Sequence, residues 1–301
     1  MVIVTWNGAH LLAECLDSVL DCGAKILVVD NASIDSTTDL LASDYPQVQS
    51  VRLPTNTGFA GGVAHALTLI STPYVVLLNN DAAVRPGWLP ALLAPLYAEP
   101  RVAATSSKLL LPDGRMNSAG GLVTAAGYAH DRAFGQPDDG RWDEPVELMY
   151  GCGAALALRV EAVRAVGGID PRFFMYYEDV DLSWRLHLAG WSVRYVPRAV
   201  VVHQHSATAG SGSLLHTFYT ERNRLATLVR CGSAGMAVRA IARYPLTTLS
   251  VGLFESRPKA ARRVRAYLSF LRWLPALLAQ RRRLGGRSAR LEVQRRLLER
   301  A

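Results

Sequence analysis

Three carboxylates fall within four positions at Glu178, Asp179 and Asp181. They follow the aromatic run Phe173-Phe174-Met175-Tyr176-Tyr177 and precede Leu182-Ser183-Trp184-Arg185. Like charges this close resist desolvation, so the grouping suits a site where one carboxylate takes a proton and its neighbours hold a hydroxyl or a cation. The plainer explanation is a helix whose first turn carries acids to match its dipole, with Arg185 paired to Asp181 one turn on. That accounts for Asp181 better than for both Glu178 and Asp179. Well upstream, Val75–Leu78 runs into Asn79-Asn80-Asp81, an apolar strand ending in oxygen ligands at the edge of a parallel sheet. Later, Val200-Val201-Val202 ends in His203-Gln204-His205. His203 with Asp81 would make an oxygen/nitrogen site for Mg²⁺ or Mn²⁺. Together these groups imply an enzyme that handles a metal-bound phosphate compound.

Such residues need a frame. Strand-like runs at Val2–Thr5, Ile26–Val29, Val48–Leu53 and Tyr74–Leu78 alternate with helical patterns over 9–21, 35–43 and 59–71. This order predicts an α/β fold, a mostly parallel sheet flanked by helices, with ligands beyond the carboxyl ends of the strands. Polar residues gather at those ends: Thr5, Trp6 and Asn7, then Asp30, Asn31 and Ser33, then Asn56, Gly58, Phe59 and Gly61, then Asn79, Asn80 and Asp81. Asp30 suits a base ring nitrogen, although it could equally cap a turn. The glycines of Asn56–Gly62 allow an anion to approach a helix N-terminus. They form neither a P-loop nor a GxGxxG fingerprint.

Beyond residue 100, strands are expected at Val102–Ser106, Ala154–Arg159, 192–195 and 199–203, with a helix over 179–189 that stops at Gly190. The Gly-, Asp- and Pro-rich stretch 112–143 reads as a long loop or hairpin over the acceptor side, and from about 213 the pattern is helical. Residues 220–301 carry 19 Arg/Lys against 4 Asp/Glu, leaving 14 basic and 21 acidic residues in 1–219, so the net +8 hides an acidic body and a basic tail. This tail would suit an anionic membrane surface or a homo-oligomer contact, and it lacks a nucleic-acid recognition module. The four cysteines show no metal spacing, which fits a reduced cytoplasmic compartment; Cys152, between two glycines, reads as a packing residue. Neither a signal peptide nor a charge-free spanning segment is expected, so the chain would be cytoplasmic, at most peripheral on the inner face of the cell membrane.

The ordered set Val-Thr-Trp-Asn, Val-Val-Asp-Asn-Ala-Ser, Asn-Thr-Gly-Phe-Ala-Gly-Gly, Asn-Asn-Asp and Tyr-Glu-Asp-Val-Asp-Leu-Ser-Trp-Arg resembles family 2 glycosyltransferases, closest to their bacterial rhamnosyltransferase-like branch. The resemblance covers about 1–225 and implies a GT-A domain there, with 226–301 a basic helical extension. It implies a nucleotide-diphosphosugar donor, a divalent cation and inversion at the anomeric carbon. By position, Thr5, Asn7, Asp30 and Asn31 would meet base and ribose, and Asn79-Asn80-Asp81 would stand at the DXD motif, its first carboxylate replaced by Asn79. Asp81 and His203 would hold the metal, and Asp179 would be the base with Glu178 in reserve. Gly151, Cys152 and Gly153, with Asp181, Trp184 and Arg185, are placed on the acceptor side. Rhamnose from dTDP-rhamnose is the first donor expected, with UDP- and GDP-sugars open, and the acceptor would be a glycan or a polyprenyl-linked glycolipid of the cell envelope. A nucleotide-binding protein without activity and a sugar-nucleotide pyrophosphorylase are the alternatives. The latter's N-terminal Gly-rich loop is missing from Val4-Thr5-Trp6-Asn7-Gly8.

Overall fold

The computed structural model describes residues 1–204 and 213–298. His205 lies outside them. The first half runs β1 (Val2–Thr5), α1 (Ala9–Val19), β2 (Leu27–Asp30), α2 (Thr37–Ser43), β3 (Gln49–Arg52), α3 (Gly58–Leu69), β4 (Tyr74–Asn79), β5 (Ala82–Val84) and α4 (Trp88–Ala98). There follow β6 (Val102–Leu110), β7 (Met116–Ser118), β8 (Gly121–Val123), β9 (Ala129–Asp131), β10 (Ala155–Arg159), α5 (Val160–Ala165), α6 (Glu178–Leu188) and β11 (Ser192–His203). Four helices close the chain: α7 (Leu214–Cys231), α8 (Ala234–Phe254), α9 (Arg257–Arg283) and α10 (Arg287–Leu298).

The main sheet has the order β3-β2-β1-β4-β10-β6-β11-β5, with β7 paired to β6. Strands β1 to β4 pair in parallel, as does β11 with β6, while β10 enters antiparallel between β4 and β6. Every residue of β1 and β2 is buried, as central strands covered on both faces must be. One face packs on α1, α2 and α4, the other on α3, α5, α6 and the closing helices.

The two strands expected at 192–195 and 199–203 are one, with a register shift between Val196 and Val200. Pro197 lies inside that shift, where its missing N–H cannot serve the ladder. The stretch 112–143, expected to be a long loop or hairpin, contains the β8–β9 hairpin. Its base is tied down by Lys108, whose Nζ donates to Asp138 and Asp143 at 2.7 and 2.5 Å.

Ser213, Ser233 and Ser256 each accept from the backbone N–H three residues on and so start α7, α8 and α9, caps of about 1 kcal/mol apiece. Residue 225, the expected domain boundary, falls inside α7. Leu225 and Leu228 of that helix share one core with Val180 and Leu182 of α6 and Phe270 and Leu277 of α9. Among the described residues no helix is long and apolar enough to cross a membrane.

Candidate active site

At the ends of β1 and β2 the chain turns through left-handed conformations at Asn7 (φ 50°) and Ala32 (φ 65°); at Asn7 the short polar side chain eases this geometry by bonding locally. The Asn7 N–H donates to Ser33 Oγ at 2.9 Å, and its Oδ1 accepts from Ile34 N at 2.8 Å. Asn31 Oδ1 accepts from Thr57 N and Oγ1 at 2.9 and 3.1 Å, while its Nδ2 donates to Gly58 O at 2.9 Å. Asn80 Nδ2 donates to Thr5 Oγ1 at 3.0 Å, and Asn56 Oδ1 accepts from Gly58 N at 2.8 Å.

These side chains were expected to meet a ligand. In the structure they spend polar groups on one another and lock the strand-end loops into one rim. Asp30 likewise accepts from Ser33 N at 2.8 Å. Trp6, 43% exposed, supplies an open aromatic surface beside them. Sequence reading missed Arg52, whose guanidinium donates to Ser33 O and Thr38 Oγ1 and lies 3.7 Å from Asp30 Oδ2.

The acidic pair sits behind a strained loop. Phe174, Tyr176 and Tyr177 all have positive φ (66°, 64° and 70°), a conformation that costs such bulky residues about 1–3 kcal/mol each unless neighbours enforce it. The enforcement comes from both sides. Buried Asn223 of α7 donates Nδ2 to the carbonyls of Phe173, Met175 and Tyr176 at 3.0, 3.0 and 2.7 Å, and Arg222 donates to those of Arg172 and Phe173 at 2.9 Å. From α3, Ala60 N donates to Phe174 O at 3.0 Å. Gly58, at φ +71°, leaves no room between α3 and this carbonyl for a side chain. Neither Asn223 nor Arg222 stood out in the sequence; the sole signal was an uninterrupted polar run, Glu221–Arg224, inside a helical pattern, which the structure buries.

Asp179 is half-buried. Its Oδ2 accepts from Gly153 N at 2.9 Å and its Oδ1 from Val180 N at 2.7 Å. Desolvation outweighs those two bonds, and its pKa is pushed up to about 6. Glu178 is buried, and Oε2 has no hydrogen-bond partner. Burial first, then repulsion from Asp179, raises its pKa well above the carboxylate range. Two carboxyls held near neutrality are a proton-accepting arrangement.

A two-residue bridge joins this pair to the end of β4. Gly153 bonds Asp179, and the next carbonyl, Ala154 O, accepts from Asn79 N at 2.8 Å. There Asp81 Oδ1 lies 3.2 Å from His203 Nε2, and Asn79 Nδ2 lies 3.3 Å from the same nitrogen. Asn117 Oδ1, 2.7 Å from His203 Nδ1, accepts that ring N–H and leaves Nε2 with its lone pair toward Asp81. That lone pair can accept from Asn79 Nδ2, and with Asp81 Oδ1 beside it the nitrogen and the carboxylate oxygen are a donor set that fits a hard or borderline divalent ion. Among the described residues no metal-holding group of three or more His, Cys, Asp or Glu side chains occurs. Any further ligands would come from outside that set.

The acceptor-side expectation is corrected for three residues. Asp181, Trp184 and Arg185 are buried to 3% exposure or less. Asp181 Oδ2 accepts from Arg185 Nε at 2.8 Å and from Arg230 Nη1 at 3.1 Å. Arg230 also bonds Asp170 at 2.6 Å, so this helix face is a structural ion-pair network. Gly151 is packed against Leu156 with no space for a side chain. Burial first, then the charges of Asp131 and Asp179, raise the Cys152 thiol well above its ordinary pKa.

The sheet order, with polar residues gathered at the strand ends, is that of an α/β fold of the GT-A type. The sequence profile of glycosyl transferase family 2 matches residues 1–117 and that of glycosyl transferase family group 2 matches residues 74–283; the chain belongs to the family 2 glycosyltransferases. It is 29% identical over 244 residues to the N-acetylglucosaminyl-diphospho-decaprenol L-rhamnosyltransferase of Mycobacterium tuberculosis, covering 72% of this chain and 79% of that protein. It is 30% identical over 211 residues to the pre-mycofactocin glycosyltransferase of the same organism, covering 68% and 42%. Among solved structures it resembles GalNAc-T7 with UDP, GalNAc and Mn²⁺ (TM-score 0.66, 16% identity, covering 91% of this chain and 56% of that one). It also resembles S. aureus TarS 1-349 in complex with UDP-GlcNAc (TM-score 0.59, 14% identity, 98% and 90%) and the mannosyltransferase PcManGT of Pyrobaculum calidifontis with GDP-Man and Mn²⁺ (TM-score 0.54, 18% identity, 93% and 84%). At these identities the structural likeness speaks for the fold.

Proposed function

We propose that the protein is an inverting transferase that moves a sugar, rhamnose first among candidates, from a nucleotide-diphosphosugar to a hydroxyl of a lipid-linked glycan in cell-envelope synthesis. The observation that carries this is the Gly153-Ala154 bridge, which hydrogen-bonds Asp179 at one end and Asn79 of the Asn79–Asp81 cluster at the other. That bridge supports a reading in which the base and the anion-handling cluster act on one ligand. The rhamnosyl and decaprenol parts of the reading rest on the named relative, and the divalent cation on neighbours that carry Mn²⁺.

Asp81 and His203 would hold Mg²⁺ or Mn²⁺, which when bound supplies positive charge against the leaving diphosphate. Asp179 takes the proton of the acceptor hydroxyl as its oxygen bonds to the anomeric carbon from the face opposite the departing phosphate oxygen. That oxygen leaves with the bonding electrons. Trp6 at the rim offers a stacking surface for the base. Burial, with a smaller push from the Asp131 charge, holds the pKa of Asp179 up.

The test is a melting-shift and donor-hydrolysis screen of dTDP-rhamnose, UDP-sugars and GDP-sugars with and without Mg²⁺ or Mn²⁺. One donor that stabilises the protein only with metal supports the reading. A protein indifferent to every donor counts against it.

A further inference from the structure

Helices α8 and α9 pack as a hairpin, yet each keeps an apolar stripe turned to solvent. Leu246, Leu249 and Leu253 repeat at i, i+3 and i+7 on α8, and Val264, Leu268 and Leu271 at i, i+4 and i+7 on α9; all six are between 37% and 69% exposed. Phe254, at the tip of the hairpin, is 83% exposed. Between the stripes runs a groove of about 500 Å³ floored by Tyr244 and Tyr267, whose rings stack 5.0 Å apart. Contiguous exposed apolar surface on this scale marks an interaction site in a folded protein.

The charge around it selects the partner. Arg239 and Arg243 flank the α8 stripe, Arg265 and Arg272 flank that of α9, and Arg257 stands near the tip, all exposed. Between Glu221 and Glu292 the single acidic residue is Glu255. An apolar centre with a rim of one sign suits a surface that is apolar inside and anionic outside. A second copy of this chain would bring arginines against arginines.

We propose that the α8–α9 face seats this protein on an anionic lipid bilayer, leucines in the acyl boundary and arginines among the headgroups. The floor of the groove is tied toward the active site. Tyr244 OH donates to Arg263 O at 3.1 Å, the Arg263 guanidinium pairs with Glu221, and Glu221 Oε1 accepts from Tyr128 OH at 3.4 Å. Ala129 N then donates to Tyr177 OH at 2.9 Å, on the residue before the acidic pair. Seating would thus place the active-site loop near lipid-borne acceptors; that consequence rests on the transferase reading, while the seating does not.

The experiment is co-sedimentation of the full chain with phosphatidylcholine–phosphatidylglycerol vesicles and with pure phosphatidylcholine vesicles, at low and high salt. Binding to the anionic vesicles alone, weakened by salt, is expected. Arg265→Glu with Arg272→Glu should lower partitioning by about 30-fold or more, and Leu249→Gln with Leu253→Gln by about tenfold. All four positions are exposed, and unchanged melting temperatures would show that the variants fold. No binding at low salt, equal binding to neutral vesicles, or full binding by the leucine variant would each overturn the proposal. So would a dimer in sedimentation velocity that the leucine variant dissolves while vesicles recruit nothing. Vesicle binding by a protein inactive on every donor would leave the seating intact and count against the transferase reading alone.

Discussion

At residue scale, the proposed site pairs a buried carboxyl, Glu178, with a half-buried one, Asp179, and both have a raised pKa. A base with its pKa near 6 must lose its proton to work, so kcat/KM should fall about tenfold per pH unit below that value and level off above it. Asp179→Asn should cut turnover by about 10²–10⁴-fold with donor binding kept; unchanged turnover removes Asp179 from the role. Glu178 predicts the opposite trade. A carboxyl whose folded pKa is raised costs stability above that pKa, a penalty relieved as pH falls through it. Glu178→Gln should therefore raise the melting temperature at neutral pH while lowering activity, and a lower melting temperature would contradict this account. At the other cluster, Asp81→Ala should abolish metal-dependent donor stabilisation in melting assays. Equal metal response in that variant and the parent protein would place the ion elsewhere.

At the scale of elements, the 173–177 loop is the part under tension, and α7 and α3 hold it. Asn223→Ala removes the amide donor from the Met175 and Tyr176 carbonyls, while Phe173 O keeps Arg222, a loss of about 1–3 kcal/mol. Because the loop leads directly into Glu178 and Asp179, kcat should drop while KM for the donor stays near its original value. Steady-state kinetics and a denaturant melt check both halves, and an unchanged kcat would make Asn223 merely structural. The element boundaries follow from local chemistry: serine caps open three of the last four helices, and Pro197 sits where β11 shifts register. A loop or hairpin was legible over 112–143, but the β8 and β9 strands themselves were not placed, because three-residue strands in a Gly-rich stretch carry too little periodicity.

Across the whole molecule, the basic tail and the acidic body are held together by ion pairs rather than left apart. Arg230 bridges Asp170 and Asp181 in the interior. Arg230→Met should cost about 3–5 kcal/mol, since two buried carboxylates lose a partner; a melt shifted by less than a degree would refute it. Burial alone would raise the Asp170 pKa, but bonds and charge from Arg172 and Arg230 overcome it and hold that pKa well below the usual carboxylate range. Its stabilisation is complete above about pH 4 and is lost as pH falls toward the folded value.

The α/β class, the strand-end clusters, the Asp181–Arg185 pair and the acidic pair at the start of α6 were legible in the sequence, because periodicity, capping and i,i+4 spacing act between near neighbours. The Asp81–His203–Asn117 line, in which His203 and Asn117 bond across 86 residues, was legible only in part: the pairing of Asp81 with His203 could be read from the strand ends, the amide that orients the ring could not. The Asn223 clamp reaches across 47 to 50 residues, and the exposed α8–α9 face depends on which side of each helix the core claims. Such partners meet only when the sheet and helices close over one another, so tertiary packing decided which predicted polar residues brace the rim, which stay open to a ligand and which are buried as ion pairs.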